Sequence, residues 1–412
     1  MAALDGIRVL DLTHGVAGPY ATMLLADLGC DVLKVEMPGR GDASRYMNVS
    51  TRFESQIPRV GGDYFMSINR NKRSVTLDLK SERGADLARH LAGKVDLVVQ
   101  NFRPGVVERL GLGVEDLMAQ NPALIYASLS AYGKVGPLAG QPGMDVAIQA
   151  RSGVMSITGD ASSSDPIKPG VSLADFSGGA HLVIATLAAL VQRGVTGKGT
   201  HVEISLLDAT MSMLSNYCVA VRDGHAEITP MGSGHPQLAP FEAVRTSDGY
   251  LVIAPGTNSL FRELCRVLER TELTEDERFS SNPKRVRNRR QLIDELEIEF
   301  TKRTMAEWLV TLERERIPCA PVNTLREAYD EPQLVADGLL REVVHPELGA
   351  ISQLGAPYLM GGELLPIRMP PPMLGEHTAQ VLTELLDLTG DQLQELAEAD
   401  VISVLEDLPH HA

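Results

Sequence analysis

The sequence predicts an α/β protein: a large domain built on a Rossmann-like parallel sheet, with a second, smaller α+β domain. Strand-like and helix-like runs alternate over the first 200 residues, and a hairpin pattern followed by helical runs occupies the middle of the chain. A length of 412 residues, 44% of them hydrophobic, exceeds one core of ordinary size.

Taken in order, IRVLDL (7–12) is a buried strand, GPYATMLLADLG (18–29) a helix with Pro19 in its first turn, and DVLKVE (31–36) a second strand, which makes a βαβ unit. The pattern recurs in SVTLDL, the helix ERGADLARHLAGK, the strand VDLVVQN and then LIYASLS, and an apolar helix over 176–193 closes the block. These runs place the large domain at 1–200. DATMSMLSNYCVAVRDGHAEI (208–228) reads as one long helix within a linker, 201–228. FEAVRTSDGYLVIAP (241–255) gives two strands about a Ser-Asp-Gly turn, and the helical runs after it complete a small domain at 229–330. Residues 331–412 read as proline-rich and irregular before a terminal helix near 378–388, a return segment that completes the large domain.

Composition excludes several classes. Against 38 Lys and Arg stand 54 Asp and Glu, a net charge of −16, which opposes binding to nucleic acid or an anionic membrane, so any polyanionic ligand is small. Cys30, Cys218, Cys265 and Cys319 are far apart, without metal-ligand spacing, and indicate neither a disulfide framework nor a metal site. The start, MAALDGIRVLDL, has no basic flank before an apolar core, and no later stretch reads as about 20 apolar residues in a row. The expected location is the cytoplasm.

Four stretches carry candidate chemistry. In THGVAGPY, Gly15 and Gly18 leave backbone room for a ligand at a helix N-terminus, or simply make a tight turn. Glu36 stands where a dinucleotide-binding fold places its ribose acid, although the turn lacks GxGxxG. NRNKRSVTLDLK gathers Arg70, Lys72, Arg73 and Lys80, and NFRPGVVERLG adds Arg103 and Arg109 beside Phe102. Both suit phosphates with an adenine stacked on the phenyl ring, and both also fit solvated basic faces. A further basic run, KRVRNRR (284–290), reads as a solvated helix start. Asp175, in KPGVSLADFSGG, opens a buried helix. It is either an N-cap, or an ionised carboxylate aimed at a ligand whose approach the glycine pair 178–179 permits, with the amides of Phe176 to Gly179 as oxyanion donors.

These stretches, with LLADLGCDVLKVEMPGRGD, VQNFRPGVVERLGLG, GSGHP and PPMLGEHT, resemble the family III CoA-transferases over nearly the whole chain, a superfamily that also contains α-methylacyl-CoA racemase. The resemblance implies an interlocked, ring-like homodimer. It implies coenzyme A or acyl-CoA as substrate beside a small carboxylic acid, and no tightly bound cofactor. Carried over residue by residue, it makes Asp175 the nucleophile; Val16, Ala17, Leu77, Lys80, Asn101, Phe102, Arg103 and Arg109 the CoA-binding positions; and Asp145 with Gly232, Ser233, Gly234 and His235 the substrate and lid positions. Within the family the similarity runs toward transferases of dicarboxylates such as succinate and glutarate. Val16 replaces a glutamine of formyl-CoA transferase. Met144 replaces a histidine that racemases place before the residue matching Asp145, which removes a second proton carrier. The alternatives are a racemase or isomerase, and a non-catalytic CoA- or nucleotide-binding protein.

Overall fold

The structure is a computed structural model and describes residues 2–52, 57–163 and 165–404. It divides into two compact units. One gathers the described residues of Met1–Val154, Pro169–Ala226 and Asp337–Ala412; the other holds those of Met155–Lys168 and Glu227–Ala336.

The first unit is built on six strands: β1 (Arg8–Asp11), β2 (Asp31–Glu36), β3 (Lys72–Thr76), β4 (Leu97–Gln100), β5 (Ile125–Ser130) and β6 (His201–Ser205). All neighbouring pairs are parallel, in the order β3-β2-β1-β4-β5-β6. Near-continuous apolar runs are what a sheet covered by helices on both faces requires, and Val9, Leu10, Leu33, Val98 and Ile125 are fully buried. The chain winds one way from β1 and the other way from β4. The crevice beyond the carboxyl ends of β1 and β4 is therefore the topological switch point, where open sheets of this kind take ligands.

The helix Leu173–Thr196 crosses over from β5 to β6 and packs on the helix Ala17–Asp27. By length and composition it could span a bilayer, contrary to the sequence expectation, and 44% of its most apolar window is buried inside the protein. Residues 208–228, expected as one helix, form two, Leu206–Ser212 and Ser215–Arg222. Between them the amides of Met213 and Leu214 donate three residues back, to Thr210 and Met211, which tightens and ends the first helix. The stretch expected to be irregular contains the antiparallel hairpin β10 (Leu340–His345) and β11 (Gly349–Leu354). The His345 Nδ1 accepts the amides of Glu347 and Leu348 and closes its turn.

In the second unit, β7 (Glu242–Arg245), β8 (Tyr250–Ile253) and β9 (Cys319–Pro321) form an antiparallel sheet over a core containing Phe261, Leu264, Leu296, Phe300 and Trp308. The basic run 284–290 is solvated only in part: Arg287 and Arg290 are exposed, but two of its arginines are engaged. Arg285, 1% exposed, donates to the carbonyls of Ala239 and Phe279 and to Asn258, and Arg289 pairs with Glu242 and holds the carbonyls of His235 and Leu238.

Candidate active site

Two turns meet at the switch point. The Asn101 side chain accepts the His14 amide at 3.0 Å and donates to the His14 carbonyl at 2.8 Å, tying the end of β4 to the end of β1. Phe102, half-buried, lies beside the His14 ring at 5.3 Å between centroids. Arg103 and Arg109 follow, both exposed, and no carboxylate among the described residues pairs with either. They are solvent-facing cations on the chain that follows the carboxyl end of β4.

The other basic stretch is different. Lys72, 0% exposed, donates to Asp11, Asn69 and the Pro19 carbonyl; Arg70 pairs with buried Asp27; Arg73 pairs with Asp31 and Glu384. These cations are structural, and the phosphate reading does not hold for them. Burial pushes the Lys72 ammonium down to about 7 against the pull of Asp11. Leu77 has its side chain in the core and its amide bonded to the Glu36 carbonyl. Lys80 is exposed. Glu36 is likewise engaged: its carboxylate is buried in a two-point ion pair with Arg45 and cannot reach a ribose.

The turn after β1 is held from below. Lys34 donates to the Thr13 carbonyl and to Asp42, and Asp42 accepts the Gly15 amide. Gly15 has φ +79° and open space where a side chain would stand, whereas the space at Gly18 is filled by the Thr13 side chain. Val16 is half-buried, and Ala17 opens the helix Ala17–Asp27. That helix has no side-chain cap and no acid in its first turn, and the amides of Ala17 and Gly18 meet no acceptor among the described residues. They are oriented donors at a positive helix pole.

Asp175 lies in the first turn of Leu173–Thr196 but is not its N-cap. The helix's first four amides are all satisfied: Leu173 by the Val171 carbonyl, Ala174 and Asp175 by Asp145 Oδ1, and Phe176 by the Ser172 carbonyl. From Phe176 onward the amides donate along the helix, so the expected oxyanion donors at Phe176 to Gly179 are not free. The glycine pair serves packing. A side chain at Gly178 would strike Leu206, and one at Gly179 would stand 2.7 Å from the Ala17 carbonyl oxygen and 2.9 Å from Tyr20. Asp175 and Gly179 are four residues apart and share a helix face, so this contact sets the Asp175 turn against the Ala17 turn. Tyr20 and Phe176 meet edge to face at 4.7 Å.

Asp145 had no assigned geometry in the sequence reading. The structure puts its carboxylate over the start of the Asp175 helix, at 2.9 Å from the Ala174 amide and 3.3 Å from that of Asp175. No donor among the described residues reaches the Asp175 carboxylate. Burial, and then the Asp145 charge, push it up to about 7. Burial and the Asp145 charge thus oppose the ionisation that the helix dipole was expected to favour. A nucleophilic role requires the anion. For the acyl-CoA substrate and nucleophilic Asp175 that the resemblance implies, kcat/KM should therefore rise about tenfold per pH unit up to near 7 and level off above it, which initial rates between pH 5.5 and 9 will show.

Gly232, Ser233, Gly234 and His235 belong to the second unit. Ser233 Oγ accepts the Ala243 amide, His235 Nδ1 accepts that of Gln237, and the Gly232 amide donates to the Gly159 carbonyl. Gly232 has φ +59°. Among the described residues no group of three or more His, Cys, Asp or Glu is placed to hold a metal ion.

The chain matches the family profile "CoA-transferase family III" over residues 4–378. It is 37% identical to the succinyl-CoA:glutarate CoA-transferase of Mus musculus over 402 residues, 98% of this chain and 91% of that protein. It is 36% identical to the acetyl-CoA:oxalate CoA-transferase of Acetobacter aceti over 383 residues, 92% of this chain and 95% of that protein. The crystal structure of a CAIB/BAIF family protein from Brucella suis superposes with a TM-score of 0.82 at 35% identity, covering 93% of this chain and 99% of that one.

Proposed function

The chain belongs to CoA-transferase family III, and from that premise we propose that it moves CoA from an acyl-CoA such as succinyl-CoA to a free dicarboxylate through covalent intermediates on Asp175. One observation carries the assignment of the nucleophile. Asp175 is a partly buried carboxylate that no donor among the described residues reaches, one helical turn before Gly179, which packs on the Ala17 turn.

The chemistry calls for a carboxylate. Asp175 attacks the thioester carbonyl, expels CoA thiolate and forms a mixed anhydride. The thiolate then attacks the aspartyl carbonyl, releasing the donor acid and leaving an aspartyl-CoA thioester. The acceptor carboxylate attacks that thioester and again expels the thiolate, which takes the acceptor's acyl group from the second anhydride and frees Asp175. Each intermediate keeps the energy of the thioester, whereas a serine ester would lose most of it. The amides of Ala17 and Gly18 are the donors we assign to the tetrahedral oxyanions. Gly232 to His235 are the residues we assign to the lid that excludes water, and His235 to the distal carboxylate of the acceptor.

Arg103 and Arg109 serve the CoA phosphates in this reading, with the adenine on Phe102. Replacing Arg109 by alanine should raise KM for the CoA ester about tenfold and leave kcat within about threefold. A changed kcat at constant KM would remove it from the phosphate site. The racemase alternative lacks its second proton carrier, because Met144 fills that position. For assembly we infer the interlocked homodimer, consistent with exposed Ile184, Val191 and Val195 on the long helix; light scattering reads the mass.

The test of function is incubation with succinyl-CoA and a panel of mono- and dicarboxylic acids, with mass spectrometry of the acyl-CoA products. New CoA esters of C4 to C6 dicarboxylates support the reading. Preference for monocarboxylates overturns the acceptor class, and no exchange with any acid overturns the transferase.

A further inference from the structure

Gln149 stands one helical turn beyond Asp145, on the same face of the helix Asp145–Arg151, and is 0% exposed. Its side-chain nitrogen reaches Asp145 Oδ2 at 2.6 Å and the Val171 carbonyl at 3.4 Å, so both amide hydrogens point at acceptors. Its oxygen is buried and has no partner among the described residues. The reverse orientation would set that oxygen against the Asp145 carboxylate. A buried unsatisfied carbonyl is unfavourable, and it persists here alongside an amide directed at Asp145 as an acceptor.

We propose that Gln149 is a positioning residue that holds the Asp145 side chain over the first turn of the Asp175 helix, and that this placement tunes Asp175 as the acyl carrier. Asp145 Oδ2 is fixed by Gln149, and Oδ1 faces the amides of Ala174 and Asp175. The capping contact and the charge beside the nucleophile are one carboxylate. Other ionisable groups stand on the elements packed against this helix: Tyr20 and Asp27 on Ala17–Asp27, Arg151 beside Gln149, Tyr126 on β5, His201 and Glu203 on β6, and Asp208 on Leu206–Ser212; His181 and Arg193 lie on the helix itself. Among these ionisable groups, Asp145 is the one whose carboxylate accepts the Asp175 amide. Acylation of Asp175 removes one of two like charges, so the same repulsion favours formation of the anhydride and the aspartyl thioester.

This inference rests on Asp175 being the nucleophile, and its test is chosen to be independent of transfer. Protein labelled with 13C at the aspartate γ-carbon is titrated by NMR, and the resonance absent from Asp175→Asn is that of Asp175. In the wild type its midpoint is expected near 7. Asp145→Asn, which keeps an oxygen for the two amides, should lower it by about one unit or more, and Gln149→Met should lower it in the same direction by less. The acid limb of the transfer pH profile should move equally. If Gln149→Met does not fold, Gln149→Asn, one methylene too short to reach Asp145, takes its place. A merely structural Gln149 would change the melting temperature and leave the midpoint where it was; an unmoved midpoint in folded variants of both residues overturns the inference. Active Asp175→Ala would instead end the nucleophile assignment and leave the titration standing.

Discussion

Replacing Asp175 by alanine should lower transfer by at least about three orders of magnitude while the protein still folds and binds CoA, because the proposed covalent carrier is lost and Arg103 and Arg109, which we assign to the CoA phosphates, are untouched. Isothermal titration with CoA should give a dissociation constant within about threefold of wild type. Mass spectrometry of wild type mixed with succinyl-CoA should show a CoA adduct on the peptide containing Asp175, and none in the variant. Transfer near the wild-type rate in Asp175→Ala would end the mechanism. Asparagine adds a stability test. A carboxyl raised in the folded state adds stability below its unfolded pKa of about 4, and that contribution is lost as pH rises through about 7. Asp175→Asn does not titrate, so its melting temperature relative to wild type should climb between pH 4 and 8.

The elements that position this site were legible where period and punctuation decide. The first βαβ unit is read from apolar runs, and strands β1, β2, β4 and β5 fall within the expected runs, whereas β3 begins two residues before SVTLDL, at Lys72, and ends at Thr76. Charge was legible only as charge. Arg73 and Lys72 meet their carboxylates Asp31 and Asp11, which lie 42 and 61 positions earlier in the chain, and no local pattern reports that. A cation without a partner and a cation in the core look alike until the fold brings the carboxylates in, and this distinction separates Arg103 and Arg109 from Arg70, Lys72 and Arg73.

Glycine was misread for a related reason. The pair 178–179 signalled close approach correctly, but what approaches is the Ala17 turn and Leu206 rather than a ligand. The helix cap was illegible because it comes from Asp145, 29 positions before Ala174. The signal that could have found it is negative: Ser172 offers no side-chain bond, which leaves the amides of an apolar helix to be satisfied from elsewhere.

Glu36 provides the strongest test of the fold reading against the cofactor reading. Its Oε2 accepts Arg45 Nε at 2.7 Å and the Asp42 amide at 2.9 Å, and its Oε1 accepts Arg45 Nη2 at 2.8 Å and the Ser74 hydroxyl at 2.7 Å. Arg45 continues to the carbonyls of Val60 and Pro372 and stacks on Phe65 at 3.6 Å. One carboxylate thus joins β2, β3 and, through Arg45, the C-terminal return segment. Glu36→Gln leaves Arg45 buried without its counter-charge and should destabilise the protein by about 3–5 kcal/mol at pH 7, read from urea unfolding. The Arg45 guanidinium holds the Glu36 carboxyl below its ordinary value despite burial. The stability it adds is therefore present above the unfolded pKa of about 4.3 and is lost as pH falls through the lower folded value, so wild type and variant should converge in acid. In the fraction that remains folded, KM for the CoA ester should stay within about twofold, since Glu36 faces no ligand. A variant of unchanged stability with a raised KM would return Glu36 to the ligand site and undo this account of the buried charges.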